Sequence, residues 1–153
     1  MIYFDAAYIA KCYLNEPGAE RVRAVARDVQ GLASCELARL EFVCTLHRHL
    51  REGYLKPREV RRILAEFRTD EEGDVWRWLP ITSFLLRKVG DDVARFPSRV
   101  VLRAADALHL GAAREHGFRE VYTNDRHMLA AARYFGLSGV NVLDRLGRRP
   151  GDS

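Results

Sequence analysis

Short apolar runs, each followed by a stretch with helical spacing, recur along the whole chain, and this alternation is what most constrains the fold. Residues 2–4 form the first strand candidate, residues 6–14 have helical composition, and residues 15–18 turn the chain. Residues 19–30 place Val22, Val25, Ala26 and Val29 at helical spacing ahead of a short strand at 32–34. Residues 35–51 read as a long helix stopped by Gly53. Pro57 then opens a second helix through residue 67, so the two make a helical hairpin. Strands are predicted at 75–81, 120–124 and 140–143, and helices at 83–96, 103–115 and 126–135. Such alternation calls for a parallel sheet covered by helices on both faces, with functional groups gathered beyond the carboxyl ends of the strands.

The chain has 153 residues, 48% hydrophobic and 30% charged, which suits one domain, expected over residues 1–145 with a loose tail at 146–153. No apolar stretch approaches the roughly 20 residues that a membrane-spanning helix needs. The opening segment has no basic start before its apolar run, so a cytoplasmic location is expected. The formal charge is +4, and of 25 basic residues only Lys11, Lys56 and Lys88 are lysine. Arginine's planar fork suits phosphate, which permits a nucleic-acid partner, although an arginine excess also follows from genomic base composition. Cys12, Cys35 and Cys44 show no CxxC spacing and read as reduced, buried thiols.

Four acids stand out by position. Asp5 and Asp125 each end a strand at the mouth of a helix, where either could be a simple N-cap. Glu41 and Asp106 lie on apolar stripes, Glu41 among Leu37, Leu40 and Cys44, and Asp106 among Leu102, Leu110 and Ala113. A carboxylate facing a core is costly unless paired or bound to a cation, so the choice lies between an arginine partner (Arg39, Arg48 or Arg103) and a metal. One ion would satisfy all four, and oxygen-only ligation points to Mg2+ or Mn2+. His109 is either a further ligand or, more commonly for its kind, a hydrogen-bonded helix histidine. His127 is either a substrate contact or a surface residue at a helix start. Trp76, Trp78 and Tyr54 are either stacking platforms for bases or core and interface aromatics.

Several segments together resemble the PIN-domain ribonucleases of the VapC toxin type: Ile2-Tyr-Phe-Asp5, Tyr13-Leu-Asn-Glu-Pro-Gly18, Leu40-Glu41-Phe42, Arg103-Ala-Ala-Asp-Ala-Leu-His-Leu110 and Tyr122-Thr-Asn-Asp-Arg126. The resemblance spans nearly the whole chain and implies a three-layer α/β/α sandwich around a central parallel sheet of four or five strands. It further implies Mg2+- or Mn2+-dependent cleavage of RNA, a cognate VapB-like antitoxin and, with the apolar helical surface, a homodimer. On this reading Asp5 and Asp106 hold the principal ion, while Glu41 and Asp125 act through water or a second site. Arg39, Arg103 and Arg126 are candidates for the basic rim, and Thr123 for a supporting hydroxyl. The family usually has Thr or Ser directly after the first aspartate, where this chain has Ala6-Ala7. A hydroxyl that would orient a metal ligand is therefore missing there, which leaves a non-catalytic PIN-fold module binding RNA or protein as the alternative. A third class, phosphoryl transfer through Asp5 as nucleophile, would want a second aspartate where Ala7 stands.

Overall fold

The computed structural model describes residues 1–144, so the predicted tail at 146–153 lies outside the described residues. In chain order the elements are β1 (Ile2–Phe4), α1 (Ala6–Tyr13), α2 (Ala19–Arg27), β2 (Leu32–Cys35), α3 (Glu36–Arg51), α4 (Pro57–Glu72) and β3 (Trp76–Leu79). They continue with α5 (Ser83–Val93), α6 (Ala104–Glu115), β4 (Glu120–Tyr122), α7 (Arg126–Ala131), a 3-10 turn (Ala132–Phe135) and β5 (Ser138–Val140). The five strands form one sheet in the order β3-β2-β1-β4-β5, and every neighbouring pair is parallel. Successive residues of a strand face opposite sides of the sheet, and β1 shows the consequence. Tyr3 enters a core formed with α5, α6 and α7 around Leu85, Leu110 and Met128, whereas Phe4 enters one formed with α1 to α4 around Tyr8, Phe42 and Phe67. The expected α/β/α sandwich is therefore present, with five strands.

The central place of β1 matters for the site. It pairs with β4 in the register Tyr3 to Val121 and Phe4 to Tyr122, so the next residues on each side, Asp5 and Thr123, emerge together at the carboxyl edge. The Asp5 N–H donates to the Tyr122 carbonyl at 3.1 Å, which carries the alignment past the last strand residue. On the opposite face, α5 and α6 cross closely because residue 111 is glycine. A Cβ added there would lie 2.2 Å from Val89 Cγ2.

Several predicted boundaries move. The helix from Pro57 runs to Glu72, five residues past its expected end, because Asp70 is held by the Tyr13 hydroxyl at 2.6 Å and Glu71 by Arg39 at 2.8 Å. Helix α5 stops at Val93, and β4 ends at Tyr122 where the chain turns into the α7 cap. The last strand is Ser138–Val140, not 140–143. Gly139 runs so close to α7 that a Cβ would meet Leu129 Cα at 2.9 Å, and the apolar Val142 and Leu143 pack beyond the strand against the α1–α4 core. Cys35 is buried and Cys12 partly so, but Cys44 is exposed, against expectation. Leu40 is 61% exposed as well, so of the stripe beside Glu41 only Leu37 packs against the core, while Leu40 and Cys44 face solvent. Trp76 is buried, donates its indole N–H to the Tyr13 hydroxyl at 2.7 Å, and stacks on Trp78, so this pair belongs to the core. Tyr54 is exposed beside His49.

Candidate active site

All four acids line a single concave pocket of roughly 230 Å³ at the carboxyl edge of the sheet, together with Arg103 and His109. Asp5 caps α1: its Oδ1 accepts the Tyr8 N–H at 2.8 Å and its Oδ2 accepts the Thr123 hydroxyl. Asp125 caps α7 through Oδ1, which accepts the N–H groups of His127 at 2.8 Å and Met128 at 3.0 Å. Capping and pocket lining thus coexist, since each aspartate turns its remaining acceptor capacity toward the pocket. Thr123 joins the two, because its hydroxyl also accepts the Asp125 N–H at 2.9 Å. A hydroxyl therefore does reach the first aspartate, from β4's side of the sheet and not from Ala6.

Asp106 lies in the first turn of α6 and is buried, with Leu110 and Ala113 in the core behind it, as its apolar stripe implied. Its partner is Arg103, whose Nε donates to Oδ2 at 2.8 Å, while the same guanidinium reaches Asp125 Oδ2 at 2.9 Å. Both acids push the Arg103 pKa further up, Asp106 most. Among the described residues Glu41 has no arginine within ion-pair distance. Its Oε2 accepts the Nε2–H of His109 at 2.7 Å. The other ring nitrogen of His109 meets the Tyr3 hydroxyl at 2.8 Å, and that hydroxyl accepts the Cys35 N–H at 3.2 Å. His109 is thus a hydrogen-bonded helix histidine, linking the sheet core to the pocket. Burial works against its charge, but Cys35 and Glu41 outweigh burial and raise its pKa to about 10. Burial also raises the Asp5 pKa, with Glu41 adding to the rise, while the Thr123 hydroxyl and His109 oppose it.

The donor set fits a hard divalent cation: four carboxylates face one pocket, and a guanidinium already supplies shared positive charge to two of them. As the side chains stand, each acid is drawn to its own partner, and among the described residues no three acidic, histidine or cysteine groups are close enough to share one ion. Two of the expected rim arginines lie elsewhere. Arg39 pairs with Glu36 at 3.0 Å and Glu71 at 2.8 Å and sits over Trp78, because two residues before Glu41 is a different face of α3. Arg126 is exposed, with its Nε 3.3 Å from His127 Nε2, and does not line the pocket. His127 borders a separate groove with Arg99 and Tyr134. The pocket instead includes Thr45 and Arg48, four and seven residues after Glu41 on one helical face. That spacing is legible in the sequence, where Arg48 otherwise reads as one of the candidate partners for a buried acid.

Comparison with curated proteins gives no match. Among solved structures, the fold is similar to that of the sarcin-ricin-loop-cleaving toxin VapC20 of Mycobacterium tuberculosis, with a TM-score of 0.67 and 16% identity over 86% of this chain and 95% of that one. It is also similar to FitAcB from Neisseria gonorrhoeae, with a TM-score of 0.66 and 17% identity over 92% and 97%. FitAB bound to an IR36 DNA fragment gives 0.60 and 19% over 92% and 94%. At these identities the likeness is one of fold. The PIN domain model matches residues 2–134, from the strand that delivers Asp5 through the helices that carry Glu41 and Asp106 to the cap formed by Asp125, and the chain accordingly belongs to the PIN domain family.

Proposed function

We propose that this chain is a Mg2+- or Mn2+-dependent endoribonuclease acting as the toxin of a toxin-antitoxin pair. The observation that carries the reading is the convergence of Asp5, Glu41, Asp106 and Asp125 in one pocket at the carboxyl edge of the sheet. The similarity in fold to VapC20 and to the FitAB structures supports the toxin and antitoxin part. Asp5 and Asp106 would hold the principal ion, and Glu41 and Asp125 would act through coordinated water or a second ion. Such an ion, when bound, lowers the pKa of a coordinated water and stabilises charge on the phosphodiester as it is attacked.

The chain's own groups do the rest. Thr123 and the Tyr8 N–H fix the rotamer of Asp5, and His109 holds the pocket-lining Glu41, which would orient a water or take its proton. Arg103, shared between Asp106 and Asp125, would offset the acids' repulsion of the phosphate. A VapB-like partner is proposed to cover the pocket. The exposed Leu40 and Val43 on α3, with Phe84 and Leu86 on α5, supply apolar surface for that partner or a second copy. Among the described residues no helix is long and apolar enough to cross a membrane. The test is cleavage of a labelled single-stranded RNA by the purified chain with Mg2+, with Mn2+ and with chelator. Cleavage that appears with metal and stops with chelator is expected. Metal-independent cleavage, or RNA binding without cleavage at any metal concentration, would contradict the reading.

A further inference from the structure

The acidic pocket does not end at its acids. Along the face of α3 that carries Glu41, the next two residues lining the pocket are Thr45 and Arg48. Among the described residues, neither the Thr45 hydroxyl nor the Arg48 guanidinium has a hydrogen-bond or ion-pair partner, unlike Arg103, which two acids engage. Among the described residues, Glu16 is the acid at this end, and it is already matched by Lys11 at 3.2 Å and faces His49 at 3.5 Å. The same pocket is lined from α1 by the small side chains of Ala6, Ala7 and Ala10. A pocket that would need a cation to accept one phosphate thus also holds two free donors.

We propose that Thr45 and Arg48 form a subsite for a second RNA backbone phosphate, next along the strand from the one that is cut. This rests on the ribonuclease reading above and adds to it the path of the RNA, along α3 from Glu41 toward its carboxyl-terminal end. Seven residues of helix separate Glu41 from Arg48 by about 10 Å along the axis, a span of a nucleotide or two of extended strand. Arginine matches a phosphate with two parallel N–H donors, and the threonine hydroxyl adds a third. The scissile phosphate is left to the acids and their cation, so the subsite governs binding of longer RNA and not the chemistry at the bond.

The experiment compares wild type, Arg48→Ala, Arg48→Lys and Thr45→Val. Arg48 is exposed and unpaired, so these changes leave the fold intact, which circular dichroism checks. Two substrates are used with Mn2+: a single-stranded RNA of about twelve nucleotides and a dinucleotide with a single phosphodiester. For Arg48→Ala, KM for the longer RNA is expected to rise roughly tenfold with kcat little changed, and the log–log salt dependence of binding to flatten by about 0.7, one phosphate contact. Arg48→Lys should recover part of the loss, Thr45→Val should show a smaller loss, and turnover of the dinucleotide should stay as in wild type. An equal loss on both substrates, an unchanged salt slope, or a loss seen only in affinity for a protein partner would overturn the subsite while leaving the nuclease reading in place. A wild-type chain that cleaves neither RNA would overturn both.

Discussion

His109 shows how a buried residue in the core reaches the chemistry. It bonds Glu41 on the pocket side and Tyr3 on the sheet side, so His109→Leu is expected to destabilise the chain by about 1–3 kcal/mol, read by urea denaturation. His109→Gln, which can still donate to Glu41, should lose less. The folded-state pKa of His109, about 10, lies above its ordinary value of 6.5, so the native state binds this proton more tightly than the unfolded chain. The stabilisation is complete below pH 6.5 and fades as pH rises through about 10, a slope that His109→Gln should remove. Asp5 has the same sign, because burial raises its pKa above 3.8. Its charge therefore opposes folding as pH rises from 3.8 through the raised value, and Asp5→Asn should melt higher than wild type at neutral pH in chelator. A lower melting temperature for that variant would show that the lost charge was stabilising. Asp5, Asp106 and Asp125 were legible in the sequence because a strand end or an apolar stripe marks each one. The His109 partnership was not, since 68 residues separate it from Glu41, and α6 and α3, which cover opposite faces of the sheet, meet only at its carboxyl edge. Arg39 and Arg126 misled for the converse reason: closeness in sequence is not closeness on a helical face.

At the scale of elements, the site depends on how closely α6 approaches its neighbours. Gly111 sits one turn beyond Ala107 on the helix that carries Asp106 and His109, and Gly111→Ala would drive a methyl into Val89. That overpacking should cost about 1–3 kcal/mol and reduce activity by shifting both site residues. Adding Val89→Ala should recover part of both losses, with thermal melts and RNA cleavage read on the same samples. If the double variant is no better than Gly111→Ala alone, the close approach of α5 and α6 is not what the glycine serves. The order and kind of elements followed from periodicity and from the stops at Gly53, Gly117 and Gly136. The misplaced boundaries share a cause, tertiary contact overriding local pattern. Asp70 and Glu71 read as the polar end of a helix until Tyr13 and Arg39 hold them in it. Val142 reads as strand because it is apolar, although it packs after the sheet has ended. Glu41's stripe looked buried because Leu40 and Cys44 are apolar, and an apolar side chain does not report whether a face meets its own core or solvent.

For the whole molecule, a net charge of +4 coexists with a pocket in which four carboxylates converge. On the proposed reading, RNA would be drawn by the outer charge and admitted to the pocket only when the acids are balanced. A protein partner that reaches the acids with a basic side chain would compete with a divalent cation for them. Its affinity should then fall as Mn2+ rises by more than an equal ionic strength of NaCl accounts for, in calorimetry with the cognate VapB-like antitoxin. The same fall in both salts would mean that the partner covers the groove without engaging the acids. The most direct test of the account as a whole is the rate at which Asp106→Asn cleaves single-stranded RNA at saturating Mn2+, relative to wild type. Asp106 is a buried acid with one arginine partner and no place in the hydrophobic core, so its amide should preserve the fold. The account predicts an unchanged circular dichroism spectrum with the rate reduced by on the order of 100-fold or more. Cleavage at the wild-type rate by the folded variant would contradict it.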